Sequence, residues 1–196
     1  MKKQQAKKYP VIGCCGLDCG LCPRHHAEGT SRCPGCCGQD FFNKHPSCSY
    51  ITCCVKKKGL EACGQCGDFA CSKFDSWGTE GPGTDSFITY RRARPNLQRI
   101  RNSGIKEFMA RQKKKIEFLE TVLNKFDDGR SKNLYCLAAA LLSESDLRQS
   151  LKDAGEKIKE EKVKSGDVKT MAKILRGLLD ACARRKNIEL KLRHKK

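Results

Sequence analysis

The sequence predicts a small, irregular, cysteine-rich metal-binding domain with few short strands and turns, joined to an all-α helical C-terminal region. Three observations predict it. Thirteen of the 15 cysteines fall between Cys14 and Cys71. The same stretch is dense in glycine and poor in aliphatics, so a metal rather than an oily core must fix it. From Pro95 onward the apolar residues step by three and four, the period of helices packed along one face.

Four segments follow from this composition. Residues 1–12 form a basic lead-in, 13–76 the cysteine-rich metal-binding domain, 77–94 a linker rich in Gly, Thr and Ser, and 95–196 an α-helical domain. In the helical domain, Pro95 suits a first helical position, and a short helix over 96–102 should stop near Gly104. Ile105, Phe108, Met109, Gln112, Ile116, Leu119, Leu123 and Phe126 line the next helix, ended by Asp127-Asp128-Gly129. Leu134, Leu137, Ala138, Leu141 and Leu142 give a nearly all-apolar, central helix. Ser143 with Asp146 signals a cap for a fourth. Val168, Met171, Leu175, Leu178, Leu179 and Cys182 line a fifth. Ile188, Leu190 and Leu192 alternate, which reads as a short terminal strand before a basic tail. Cys136 and Cys182 fall on apolar helix faces and read as buried core thiols.

The cysteine density leaves two readings, disulfides or metal. The basic start lacks an apolar core of about 7 to 15 residues, so no export signal is expected and the setting is cytoplasmic and reducing. Structural disulfides are rare there, and an odd number of thiols suits a closed disulfide framework poorly. Metal ligation is therefore expected.

Zinc in structural sites takes four tetrahedral ligands, commonly from Cys-x-x-Cys turns. Cys33-Pro34-Gly35-Cys36 and Cys63-Gly64-Gln65-Cys66 read as two such knuckles that could close one site. Cys15-x3-Cys19-x2-Cys22 is the other informative spacing. It matches the motif of radical-SAM enzymes, but the alternating strands and helices of their barrel do not follow. A different iron–sulfur centre, completed by Cys48, Cys54 or Cys71, is the alternative to zinc. The doublets Cys14-Cys15, Cys36-Cys37 and Cys53-Cys54 do not meet the spacing of heterodisulfide reductase subunits. Adjacent side chains point apart, so one member of each should ligate while the other packs or serves a second metal. The expected ligands are thus Cys15, Cys19, Cys22, Cys33, Cys36, Cys48, Cys54, Cys63, Cys66 and Cys71, in two zinc sites or, alternatively, with an iron–sulfur cluster. His25 and His26 read as surface or turn residues.

The segments CGLDCGLC, CPGC, ITCCVKKKGL and CGQCGDFACSKF together resemble a cysteine-rich family widespread in anaerobic bacteria and methanogenic archaea, catalogued as domain of unknown function 3795. The family pattern falls on Cys15, Gly16, Cys19, Cys22, Cys33, Cys36, Cys54, Gly59, Cys63, Cys66 and Cys71, covering roughly the first 75 residues. Cys14, Cys37 and Cys53 are additional to it. The resemblance implies metal binding and an anaerobic host, and supplies no reaction.

The net charge is +18. It divides into +5 over residues 1–76 (11 Lys and Arg against 6 Asp and Glu) and +13 over 77–196 (29 against 16). A four-thiolate zinc site carries roughly −2, so metal would bring the cysteine region near neutrality and leave the basic character to the helices. The runs Lys56-Lys57-Lys58, Arg91-Arg92-Ala93-Arg94, Lys113-Lys114-Lys115 and Arg184-Arg185-Lys186, with Arg99, Arg101, Arg111 and the tail 191–196, make nucleic acid a candidate partner through the basic helices. They lack interleaved aromatics for base stacking, and on the later helices they alternate with acids. A protein partner is the other expectation. No apolar run approaches the roughly 18 residues of a membrane span. Nothing marks an activated thiol or a phosphate-binding loop, so a binding or adaptor module is favoured over an enzyme.

Overall fold

The computed structural model of the chain describes residues 6–194. Residues 1–5 of the basic lead-in and 195–196 of the basic tail lie outside them. The chain divides into two compact units, Met1–Gln112 with Arg193–Lys196, and Lys113–Leu192.

The first unit is built from short turns rather than strands. Three-ten turns run over Cys19–Leu21, Gly29–Ser31, Cys63–Gln65 and Ser72–Phe74. Two brief helices, α1 (Phe41–Lys44) and α2 (Ser49–Ile51), lie between them, and α2 runs into a π-helical turn over Thr52–Lys57. Among the described residues there is no strand, which corrects the expected few short strands. The reason is local. Glycine, proline or cysteine recurs every few residues through 13–76, and no β-branched run is long enough to favour a pleated ladder.

The long helix α3 (Ala93–Phe126) follows, broken at Gly104, whose φ of 82° and ψ of 159° are not helical. The break falls where the sequence placed a stop. Residues of α3 up to Gln112 belong to the first unit and those from Lys113 to the second. The first unit therefore takes in both the stretch expected as a linker and the start of the helical region. Leu97, Ile100 and Phe108 of α3 join Ile12, Phe41, Ile51, Val55 and Phe74 in a buried cluster, in which Cys14, Cys36, Cys37, Cys54 and Cys63 are also members. Apolar burial alone is modest here, and sulfur occupies much of the centre.

The 77–94 stretch is held in place. Trp77 packs on Phe74 at 4.9 Å between ring centroids, and Arg94 donates to the Trp77 carbonyl at 3.0 Å. Asp85 and Arg193 clamp each other: the Asp85 N–H donates to the Arg193 carbonyl and the Arg193 N–H to Asp85 Oδ2, each at 2.9 Å, and the side chains pair at 3.0 Å with the Asp85 side chain fully buried. Burial pushes the Asp85 carboxyl up, but the Arg193 side chain and N–H outweigh it and hold it below the usual range. A depressed carboxyl stabilises the fold above its unfolded value, about 3.9, and loses that contribution as the pH falls through its folded value. The stability gap between the native chain and Asp85→Asn, read by denaturation at several pH values, should therefore be widest near neutrality and close below about pH 4. A gap that does not change with pH would count against the clamp.

The second unit packs the end of α3 with α4 (Lys132–Leu141), α5 (Glu144–Glu160) and α6 (Val168–Arg185). Its core is largely aliphatic: Leu119, Val122, Leu142, Leu147, Leu175 and Leu179 are buried, with Phe118, Phe126 and Tyr135 among them. α4 is buried over most of its length, as expected of a central helix. Cys136 and Cys182 are buried in this unit. Ser143 caps α5, accepting from the Asp146 N–H at 3.2 Å while the Asp146 carboxylate accepts from the Ser143 N–H at 3.3 Å. α5 and α6 both end in left-handed residues, Lys162 at φ 51° and Asn187 at φ 54°. The Val163 N–H then returns to Ile158, and the Ile188 N–H to Ala183. This double-bonded C-cap corrects the expected terminal strand. The Ile188 N–H is committed to the helix end, and no strand among the described residues offers Leu190 and Leu192 a ladder.

Candidate metal centre

Two Cys-Gly-x-Cys turns frame the site, Cys19 to Cys22 and Cys63 to Cys66. Each closes with the last cysteine N–H on the first cysteine carbonyl, at 3.2 and 3.0 Å. The closing residues have almost the same backbone, φ −78° and ψ 135° at Cys22 against −76° and 136° at Cys66. Both loops press on successive turns of α3. A Cβ at Gly16 would lie 2.1 Å from the Ala93 carbonyl oxygen, and one at Gly64 would lie 2.3 Å from that of Leu97. Only glycine permits that approach. The Cys63 N–H bonds the Cys14 carbonyl at 2.9 Å and joins the loops to each other.

Asp18 anchors the first loop. Its Oδ1 accepts from Asn96 Nδ2 at 2.9 Å and Gln112 Nε2 at 2.8 Å, both from α3, and Asn96 also donates to the Gly16 carbonyl. All three side chains are buried. Gln112 read from sequence as a face-lining residue; its role is to hold this carboxylate.

Where the loops meet, the sulfurs of Cys14, Cys36 and Cys37 lie within 4.8 Å of one another. Cys14 and Cys36 are 3.7 Å apart. The three are 1%, 8% and 0% exposed. Cys54 and Cys63 belong to the same buried cluster, and Cys54 Sγ donates to the Leu60 carbonyl at 3.3 Å. Hydrogen bonds from the Cys14 and Cys37 thiols hold Cys36 low against its burial. Bonds from Cys14 and Cys63 hold Cys54 low in the same way. Cys14, Cys37 and Cys63 are raised, chiefly by the neighbouring Cys36 and Cys54 sulfurs and by burial.

One cation answers this charge from inside. Lys7 is buried, and its ammonium donates to the Ile12 carbonyl. Burial alone would lower it, but Cys36, Cys14, Cys19 and Glu61 outweigh that and raise it. Glu61 further accepts from the Lys8 and Tyr9 N–H groups at 2.8 Å, tying down the chain that carries Lys7. A buried, partly deprotonated sulfur group of this kind is compatible with metal binding.

Of the ten expected ligands, Cys36 belongs to the tight group, and Cys54 and Cys63 extend it. Cys19 and Cys15 lie next to Cys36, and burial pushes the Cys15 thiol up to about 12. Cys33 turns away from Cys36. Its sulfur is 3.5 Å from His45 Nε2, with Cys22 nearby and Phe41 stacked on the imidazole at 4.8 Å. His25 and His26 bond the Cys33 and Gly20 carbonyls, as turn residues do. Cys48 is exposed. Cys66 and Cys71, with Cys53, Cys54 and Cys63, border a pocket of about 240 Å³.

Sequence reasoning missed Cys14 and Cys37. Cys37 has a left-handed backbone, φ 57°, which swings its side chain to the same side as that of Cys36. The family pattern omits both residues. The available signal was the Gly35 and Gly38 pair flanking the doublet, which marks a turn irregular enough to break the rule that neighbours point apart.

The basic runs are largely engaged. Lys58 pairs with Asp68, Lys113 with Glu117, Lys114 with Glu144 and Lys186 with Asp146. Lys115 donates to the Ala140 and Leu142 carbonyls, and Arg101 to the Cys66 carbonyl. No helix among the described residues is long and apolar enough to cross a membrane.

No family model, curated protein or solved structure matches the chain.

Proposed function

We propose that this chain is a zinc-stabilised cysteine protein of a reducing compartment that acts as a binding or adaptor module for a protein partner. The observation that carries the reading is the Cys14, Cys36 and Cys37 group. Zinc bonds thiolate sulfur at about 2.3 Å, so a tetrahedral site sets its sulfurs about 3.8 Å apart. The 3.7 Å between Cys14 and Cys36 is already that edge. Cys54, buried in the same cluster, is assigned as the fourth ligand; it lies outside the group of three within 4.8 Å and would close on the ion as zinc binds. Zinc would take the place of the protons that the sulfurs now share, and Lys7 would offset part of the negative charge of four thiolates.

A nucleic-acid role for the basic helices has weaker support, because charge alone argues for it and many of those cations already sit in ion pairs within their own unit.

Zinc loading with cobalt substitution tests the proposal. The native chain should retain zinc through dialysis, and cobalt in its place should give the intense visible bands of a tetrahedral thiolate site. Cys36→Ser should lose about one zinc equivalent and those bands, as one of four ligands is gone. Cys182→Ser, in the aliphatic unit, should lose neither. Equal zinc in Cys36→Ser and the native chain would overturn the assignment.

A further inference from the structure

Three thiols outside the zinc set, Cys53, Cys66 and Cys71, meet Cys63 at one place. The pocket of about 240 Å³ is lined by Cys53, Cys54, Cys63, Cys66 and Cys71, with Phe69 and Phe74 forming part of its wall. We infer that this pocket is a second metal centre, separate from the zinc site, which takes a polynuclear iron–sulfur cluster on Cys53, Cys63, Cys66 and Cys71.

Spacing decides between a single ion and a cluster. A lone tetrahedral ion needs its sulfurs about 3.8 Å apart. Among the described residues only Cys14, Cys36 and Cys37 place three ligand atoms within 4.8 Å of one another. No three of the pocket thiols come that close to one another, and they line an open volume. A cluster, whose metals and bridging sulfides lie between the cysteine sulfurs, needs such an arrangement, with four thiolates as its usual ligand set.

The local backbone supports the division of labour. Cys53 and Cys54 are neighbours on the π-helical turn Thr52–Lys57, a kind of turn that recurs at functional sites. Both border the pocket beside Cys63, and Cys54 also neighbours Cys14. One doublet thus supplies a ligand to each centre. This partition rests on the zinc reading, since it assigns Cys54 to that site.

The rim carries two lysines and one carboxylate, Asp68, whose Oδ2 lies 3.8 Å from Cys66 Sγ. Lys58 Nζ is 3.0 Å from Cys66 Sγ and 2.6 Å from Asp68 Oδ2, and Lys73 also borders the pocket. An ammonium that donates to a ligand sulfur neutralises part of the cluster charge and raises its reduction potential. Lys58 and Asp68 are both solvent-exposed, so the pocket opens at this rim.

The test is iron, acid-labile sulfide and zinc analysis on full-length protein purified without oxygen, or reconstituted with ferrous iron and sulfide, together with its visible spectrum. The native chain should hold iron and sulfide in equal amounts and absorb broadly in the visible. Cys66→Ser and Cys71→Ser should each lose iron and colour while keeping the zinc of the first site. Cys36→Ser should show the reverse. Lys58→Met should keep the cluster but lower its midpoint potential, a readout that survives if a cysteine variant fails to fold. A colourless native chain that resists reconstitution, or one with zinc in the pocket instead of iron, would overturn the inference. Iron lost from Cys66→Ser in a chain that never held zinc would uphold the pocket and reject the first site.

Discussion

Chelating zinc from the loaded chain should unfold the first unit while leaving most of the helical signal intact. The second unit needs no metal: its core is a run of buried leucines and valine, and its helices carry their own caps. The first unit is different. Five sulfurs sit where an apolar core would otherwise be, and without metal they must share protons in the interior, beside a buried lysine. Structural zinc contributes on the order of 10 kcal/mol or more to small sites of this kind, which exceeds the stability of most domains of this size. Trp77 makes the effect visible. It is the only tryptophan and packs against Phe74 and Tyr50 inside the first unit. Titrating a strong chelator should shift its emission to the red as the aromatic group opens to water. Circular dichroism at the helical minimum should fall far less. Trp77 emission unchanged at full zinc removal would show that the unit stands without the metal. Equal collapse of both signals would show that the second unit depends on it too.

Much of this molecule could be read in the residues, for reasons that differ by region. The second unit is governed by periodicity and caps, which are local. Ser143 and Asp146 lie three residues apart, and Leu175 and Leu179 one turn apart, so short windows suffice. The Gly104 break is local as well. Alternation of Ile188, Leu190 and Leu192 suggests a terminal strand, but it says nothing about whether a partner strand exists. The 77–94 stretch read as a linker because its anchor, Arg193, is far away in sequence. In the cysteine region, composition pointed to metal but pairing did not follow from spacing. Cys33 and Cys36 look like one knuckle, yet the turn at Gly35 sends Cys36 to Cys14 and leaves Cys33 beside His45. Which sulfurs meet is set by how the loops dock on α3, and that is a tertiary fact.

That docking is where a single substitution should be felt most, at Asp18. Its Oδ1 gathers the amides of Asn96 and Gln112, and Asn96 passes a second bond to Gly16, so one buried oxygen ties the Cys15 to Cys22 loop to α3. Asp18→Ala would leave buried amide N–H groups without this acceptor and remove two charge-assisted bonds. Bonds to charged groups contribute about 1.5 to 3 kcal/mol each, and a stranded buried partner adds a similar penalty. The expected loss is about 3 to 5 kcal/mol, read as a lower urea midpoint in Trp77 fluorescence. Asp18→Asn keeps an acceptor oxygen and should fall between the two. The loop carries Cys19 and Cys22 and abuts Cys14 and Cys15, so the alanine variant should also bind zinc more weakly at neutral pH. The midpoint of a transition confined to the second unit should not move. A loss under about 1 kcal/mol would mean that glycine docking at Gly16 and Gly64, rather than the carboxylate, positions the sulfurs.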